Sequence, residues 1–192
     1  NSGSSWNTPV NVDGIDNDDE NEFRASPFIN ADSNQVIIFW SETNTESGAS
    51  SDQDIVYSTS TNDGTSWSDY EDVSEHYYEA DSGLPALANS GDYIYLVYLD
   101  NGDNDQINDP NGNDADNRDG DIYFQRSDDE GETWEALKVL SLFDEDEEND
   151  LDYTSILLQY RSDIAATGSY VHVAWIDYDS YNGGYDIIYT KS

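Results

Sequence analysis

Between Asp103 and Asp121 the chain sets oxygen donors at short, near-alternate intervals. Asp103, Asp105, Asp109, Asn111, Asn113, Asp114, Asp116, Asp119 and Asp121 fall there, with Gly112 and Gly120 to permit tight turns. Hard cations such as Ca²⁺ take about six to eight oxygen ligands from stretches of this kind. Asp103, Asp105, Asp109, Asn111, Asn113 and Asp116 are the candidate ligands. EF-hand spacing with a terminal bidentate Glu is absent, so Mg²⁺, Na⁺ and plain solvation compete with Ca²⁺, and no motif requires a cofactor. Tyr77, Tyr78, Tyr153, Tyr160, Tyr178 and Tyr181 stand among Asp and Asn residues. That mixture suits stacking on sugar rings with hydroxyl hydrogen bonding, or a protein interface. His76 and His172 are isolated, and there is no Ser-His-Asp arrangement, P-loop or zinc spacing.

The chain that must position these groups has 192 residues and a formal net charge of −37, from 43 Asp and Glu against 6 Lys and Arg. Such a field repels phosphate, which argues against nucleic acid and anionic membranes as partners. An acidic low-complexity tail would be disordered, but 15 Tyr, 5 Trp and 5 Phe mark a folded core under an acidic shell. That shell suits high salt, where self-repulsion is screened, and points to a halophilic source. Cys is absent, so no disulfide framework exists. The longest apolar runs, QVIIFW and YIYLVYL, are strand-sized rather than membrane spans. The chain opens at Asn1 rather than Met, which reads as a processed or excised segment of an extracellular or cell-surface protein.

The elements repeat. DIVYSTSTNDGTSW (54–67) and DIYFQRSDDEGETW (121–134) are copies of one unit, and a third is divided between DIIYTKS (186–192) and NSGSSW (1–6). Trp6, Trp67 and Trp134 are 61 and 67 residues apart. Each unit carries two earlier apolar segments. The first set is SPFINA (26–31), LPALAN (84–89) and SDIAAT (162–167). The second is QVIIFWSE (35–42), DYIYLVYLD (92–100) and SYVHVAWID (169–177). A fourth segment follows each Trp: NTPVNV, SDYEDVS and EALKVLS. Short Asn, Asp, Ser and Gly turns separate them, as hairpins require. Four strands per unit, A to D, repeated in tandem, predict an all-β β-propeller of four-stranded antiparallel blades. The single domain spans 1–192, with repeats about 7–67, 68–134, and 135–192 plus 1–6.

The Ser-x-Asp-x-Gly-x-Thr-Trp spacing resembles the Asp box of the sialidase and BNR-repeat superfamily. Ser127, Asp129, Gly131, Thr133 and Trp134 match in full. Ser60, Asn62, Gly64 and Trp67 match with Asn62 and Ser66 in the Asp and Thr places, and Asn1, Gly3, Ser5 and Trp6 form a partial third box. The resemblance implies that the boxes are structural turns between strands C and D, on the face opposite the active site. Glycan binding would then fall to the D-to-A and B-to-C loops, which are the long ones here. Arg24 and Arg161 stand just before strand A, near the expected channel mouth. FRASP (23–27) is similar to the family's Phe-Arg-Ile-Pro phrase, with the Pro one residue later, while the second repeat has Ser82 and Gly83 there. The competing reading is that both arginines only neutralise carboxylates such as Glu22 and Asp163.

Three blades do not close a ring, and propellers have about four to eight. The expectation is a six-bladed homodimer in which the N-terminal strand of one chain completes the last blade of its partner. An excerpt of a longer propeller is the runner-up. The functional expectation is a non-catalytic module binding a glycan or protein ligand through Arg24, Arg161, Tyr77, Tyr78, Tyr153 and Tyr160. A sialidase-like hydrolase would instead need Arg24, Arg161, Tyr160 as nucleophile and Asp13 or Asp16 as acid to converge. A purely structural assembly unit is the third reading.

Overall fold

The computed structural model of the protein describes residues 3–12, 22–30, 35–44, 52–74, 81–100, 121–141, 161–179 and 184–192. Within them the apolar alternation becomes three antiparallel sheets. The first holds β1 (Glu22–Asn30), β2 (Gln35–Asn44), β3 (Asp52–Ser60) and β4 (Glu71–Asp72), in that order. The second holds β5 (Ser82–Ser90), β6 (Tyr93–Asp100), β7 (Asp121–Ser127) and β8 (Lys138–Val139). The third holds β9 (Asp163–Thr167), β10 (Tyr170–Asp179) and β11 (Gly184–Lys191). Each sheet meanders, as a propeller blade does. β5 packs against both β1 and β9, so the first strands gather on one side. The described strands of the first and third sheets do not pack on each other.

The cores lie between sheets. Strand side chains alternate faces, and β6 is central in the middle sheet, so it is apolar on both. Leu96 and Tyr98 join Ile37, Phe39, Ile55 and Tyr57 of the first sheet. Tyr95, Val97 and Leu99 join Ile164, Val171, Val173 and Trp175 of the third. Phe39, Leu96, Val97 and Tyr98 are fully buried, each worth about 1.5–3 kcal/mol of transfer free energy.

The structure departs from the sequence reading in three places. β1 begins at Glu22, so Arg24 stands on the strand rather than ahead of it. The fourth strands shrink to two residues, Glu71–Asp72 and Lys138–Val139, because their outer edge meets no neighbour. NTPVNV, expected as a strand, forms none: residues 6–11 are exposed and lie along no sheet edge, and an isolated extended segment has nothing to satisfy its backbone groups but water. A shared irregularity also appears. Both inner strands shift register at equivalent points, between Phe23 and Ser26 and between Gly83 and Ala86.

Candidate functional site

At one end of the sheets, each β-turn after the third strand is built by its own side chains. In residues 127–134, Ser127 Oγ accepts from the amides of Asp129 (3.3 Å) and Gly131 (2.9 Å) and donates to Asp129 Oδ1 (2.8 Å). Asp129 in turn accepts from the Thr133 amide at 2.8 Å and from the Thr133 hydroxyl. Residues 60–67 repeat the scheme. Ser60 Oγ accepts from Asn62 and Gly64, and Asn62 Oδ1 accepts from Thr65 (3.1 Å) and Ser66 (2.9 Å). With an amide replacing the acid, Asn62 Nδ2 donates to Ser66 Oγ at 2.8 Å. Gly64 and Gly131 sit at φ of +76° and +91°, where a side chain is strained. Trp134 then lies edge-on to Phe39 at 5.7 Å and to Tyr57 at 6.4 Å, locking the second sheet onto the first.

These turns have a pH signature. The Thr133 hydroxyl, the Thr133 amide and Ser127 all bond the ionised form of Asp129, which holds its carboxyl below the usual range. A depressed folded-state value stabilises the fold above the ordinary Asp range, and that contribution is lost as pH falls through the folded value. Asn62 does not titrate. Acid is therefore expected to loosen the turn at Trp134 before that at Trp67. Asp129→Asn should remove the acid step, read from tryptophan fluorescence in single-Trp backgrounds.

The opposite end of the sheets is where the long connections leave. Register places acidic residues directly across from one another there in every sheet: Glu42 with Asp54, Asp100 with Asp121, and Asp177 with Asp186. Opposed like charges are unfavourable unless bonded elsewhere, and hydroxyl or indole donors serve those of the first two sheets. Trp40 Nε1 donates to Glu42 Oε2 (2.6 Å), Ser82 Oγ to Asp100 Oδ2 (2.5 Å) and Ser141 Oγ to Asp121 Oδ1 (2.5 Å). Ser74 Oγ, 3.4 Å from Asp54 Oδ1, also accepts from the Ile55 amide, as Ser141 Oγ does from Ile122. Glu42 and Asp100 are buried. Ser82→Ala removes a donor from a buried carboxylate and should cost about 1–3 kcal/mol in urea unfolding, with secondary structure unchanged by circular dichroism.

Sequence reasoning missed this arrangement. Its signals were an Asp-Ile pair within the first four residues of each third strand (Asp54-Ile55, Asp121-Ile122, Asp186-Ile187) and Ser74 and Ser141 seven residues past a Trp.

Tyr98 and Tyr123 stack at 5.7 Å beside these acids. Burial first, then the charge of Asp100, push both phenols well above their ordinary value. Tyr98 accordingly stays protonated and donates to Gln125 Oε1 at 3.2 Å. Neither phenol is poised to become a phenolate nucleophile.

The same register sets three inner-strand positions in correspondence. Ser26 pairs with Phe39, Ala86 with Val97 and Asp163 with Ala174. Two residues earlier stand Arg24, Leu84 and Arg161. Leu84, not Ser82 or Gly83, is thus the middle counterpart of the arginines, and it is buried with φ of +60°. A non-glycine residue in that region is a strained one. Arg161 is exposed, and among the described residues it makes no ion pair with Asp163, whose Oδ1 accepts from the Ile164 amide. Arg24 and Tyr178 are described by strand position alone. Asp13, Asp16, Tyr77, Tyr78, Tyr153, Tyr160, Tyr181 and the 103–120 stretch, with Asp103, Asp105, Asp109, Asn111, Asn113, Asp114, Asp116 and Asp119, lie outside the described residues. Among the described residues, no group of three His, Asp or Glu could hold a metal ion.

No protein-family model and no curated protein matches the chain. Solved structures do. A Dyadobacter fermentans protein of unknown function has a TM-score of 0.56 at 15% identity, over 92% of this chain and 52% of that one. A Hadza microbial sialidase has 0.54 at 15%, over 88% and 35%. A family 117 glycoside hydrolase from the marine bacterium Zobellia galactanivorans has 0.52 at 14%, over 95% and 56%. This chain thus spans between about a third and just over half of these three proteins, and as little as a fifth of others it resembles. The likeness is one of fold: a sialidase-like all-β architecture of blade-like antiparallel sheets.

Proposed function

We propose that this sialidase-like chain is a non-catalytic carbohydrate-binding module of Asp-box blades, adapted to high salt. Its ligand seats at the end of the blades opposite the box turns. The observation that carries the reading is that Arg24, Leu84 and Arg161 each stand two residues before the register-matched Ser26, Ala86 and Asp163. Two cationic positions flank a buried apolar one, so the cations are the groups left to hold a hydroxyl- or carboxylate-bearing sugar. A sialidase-type site would need a further cation at the position Leu84 takes. Further support comes from Glu42, Asp54, Asp100 and Asp121 at that end, which are engaged by Trp40, Ser74, Ser82 and Ser141 rather than poised as general acids. The tyrosines of the connecting segments supply sugar-stacking surface, and two of the similar structures are named as a sialidase and a glycoside hydrolase.

Immobilised neutral and sialylated oligosaccharides, probed at about 2 M NaCl to suppress non-specific repulsion, are expected to retain the chain without release of free sugar. Retention of none of them would overturn the binding reading. Release of monosaccharide above a protein-free control would overturn the non-catalytic one.

A further inference from the structure

Among the described residues the third sheet has no fourth strand, while the segment 3–12 begins with a turn like those that lead into the fourth strands of the other two sheets. In both complete sheets, the residue after the box Trp donates its amide back to the third strand: Ser68 to Thr59 O (2.9 Å) and Glu135 to Arg126 O (2.8 Å). Six residues past the Trp a second rung forms, Val73 to Ile55 O (2.9 Å) and Leu140 to Ile122 O (2.8 Å). The third sheet holds the matching strand. The Ser192 amide donates to Val171 O at 3.0 Å, which sets Ser192 where Ser60 and Ser127 stand. Counting from it, the acceptors of the two missing rungs are the carbonyls of Lys191 and Ile187. Counting from Trp6, their donors are the amides of Asn7 and Val12.

Among the described residues both are shaped and lie exposed. Gly3 has φ of +77°, close to Gly64, and a Cβ built there meets Trp6 Cζ2 at 4.0 Å, as one at Gly64 meets Trp67 Cζ2 at 3.6 Å. The turn is formed, yet Trp6 is 89% exposed and Val10 59%. On β11, Ile187 is 73% exposed and Tyr189 58%. Tyr189 holds the register position of Tyr57, on which Trp134 of the next sheet rests.

We propose that residues 3–12 of a second copy of this chain dock on β11, reciprocally, so that two chains make a six-bladed ring. Trp6 of the second copy packs toward Val97 and Phe124, the register counterparts of Phe39 and Tyr57. Trp67 of the second copy covers Tyr189. The donor is a second copy because the first and third sheets of one chain do not pack together, and its own residues 6–11 stand in solvent. With −37 charges per chain, association requires salt to screen the approach.

The chain has no Cys, which gives a clean cross-linking test. In the complete sheets Tyr57 pairs with Glu71 and Phe124 with Lys138, so Val10 should pair with Tyr189. Both are exposed, so Val10→Cys with Tyr189→Cys leaves the chain's own core intact. Oxidation at about 2 M NaCl should give a covalent species of twice 21.5 kDa, far in excess of either single-cysteine variant. Light scattering of the parent chain should give the same doubled mass, and Trp6→Ala should raise the dissociation constant at least about tenfold, as loss of a buried interface Trp does. An internally bridged monomer would show that the segment docks on its own chain. That result overturns the proposal, as do an unbridged monomer and equal cross-linking by the single variants.

Discussion

Raising NaCl from about 0.1 M to about 2 M should raise the melting temperature by roughly 10 °C or more. The Debye length shrinks from about 10 Å to under about 3 Å over that range. The formal charge is −37 over 192 residues. The exposed described acids Asp63, Asp69, Glu71, Asp128, Glu132 and Asp186 far outweigh exposed Lys138, Arg161 and Lys191. Two such carboxylates about 5 Å apart repel by about 0.8 kcal/mol in water, and most of that vanishes when the screening length falls below their separation. A few kcal/mol summed over the surface shifts a chain of this size by about 2–4 °C per kcal/mol. KCl should act as NaCl does, since screening depends on ionic strength alone. A melting temperature unchanged between the two conditions would contradict it.

Gly131→Val should be strongly damaging, at about 3 kcal/mol or more. A β-branched residue at φ of +91° is strained by about 1–2 kcal/mol. The added Cβ would also stand 3.1 Å from Ile37 Cδ1 and 3.7 Å from Ile94 Cδ1, in the core between the first two sheets. Overpacking of that kind costs about 1–3 kcal/mol. Gly64→Ala is the control. Its φ of +76° carries the strain, but the nearest atom is Trp67 Cζ2 at an ordinary 3.6 Å. Gly131→Val should therefore lower the melting temperature by at least twice as much as Gly64→Ala in parallel thermal melts. Equal shifts would mean that backbone strain alone matters and that Ile37 gives way.

The repeat was legible because its signals are local. The Ser, Gly and Trp of each box lie within eight positions, and β6 announces itself as an apolar run because both its faces are covered. What escaped reading depends on distant residues. The register shift beside Leu84 falls between Gly83 and Ala86, and only pairing across strands sets Ser26, Ala86 and Asp163, and with them Arg24, Leu84 and Arg161, in correspondence. The carboxylate–serine pairs join positions 18 to 20 residues apart, visible only once register is known. NTPVNV carries strand-like alternation yet forms no strand, because a strand needs an edge to pair with, and the edge it fits belongs to a sheet it does not touch.

The claim that binding belongs to the end opposite the boxes is tested most directly by one calorimetric comparison at about 2 M NaCl. An oligosaccharide retained in the glycan screen is titrated into the parent chain, Arg161→Ala and Asp129→Asn. Arg161→Ala is expected to weaken affinity by about tenfold or more, a loss near 1.4 kcal/mol, while Asp129→Asn lowers stability at neutral pH and leaves affinity as it was. Affinity lost with Asp129→Asn and kept with Arg161→Ala would put the ligand at the box turns and contradict the account.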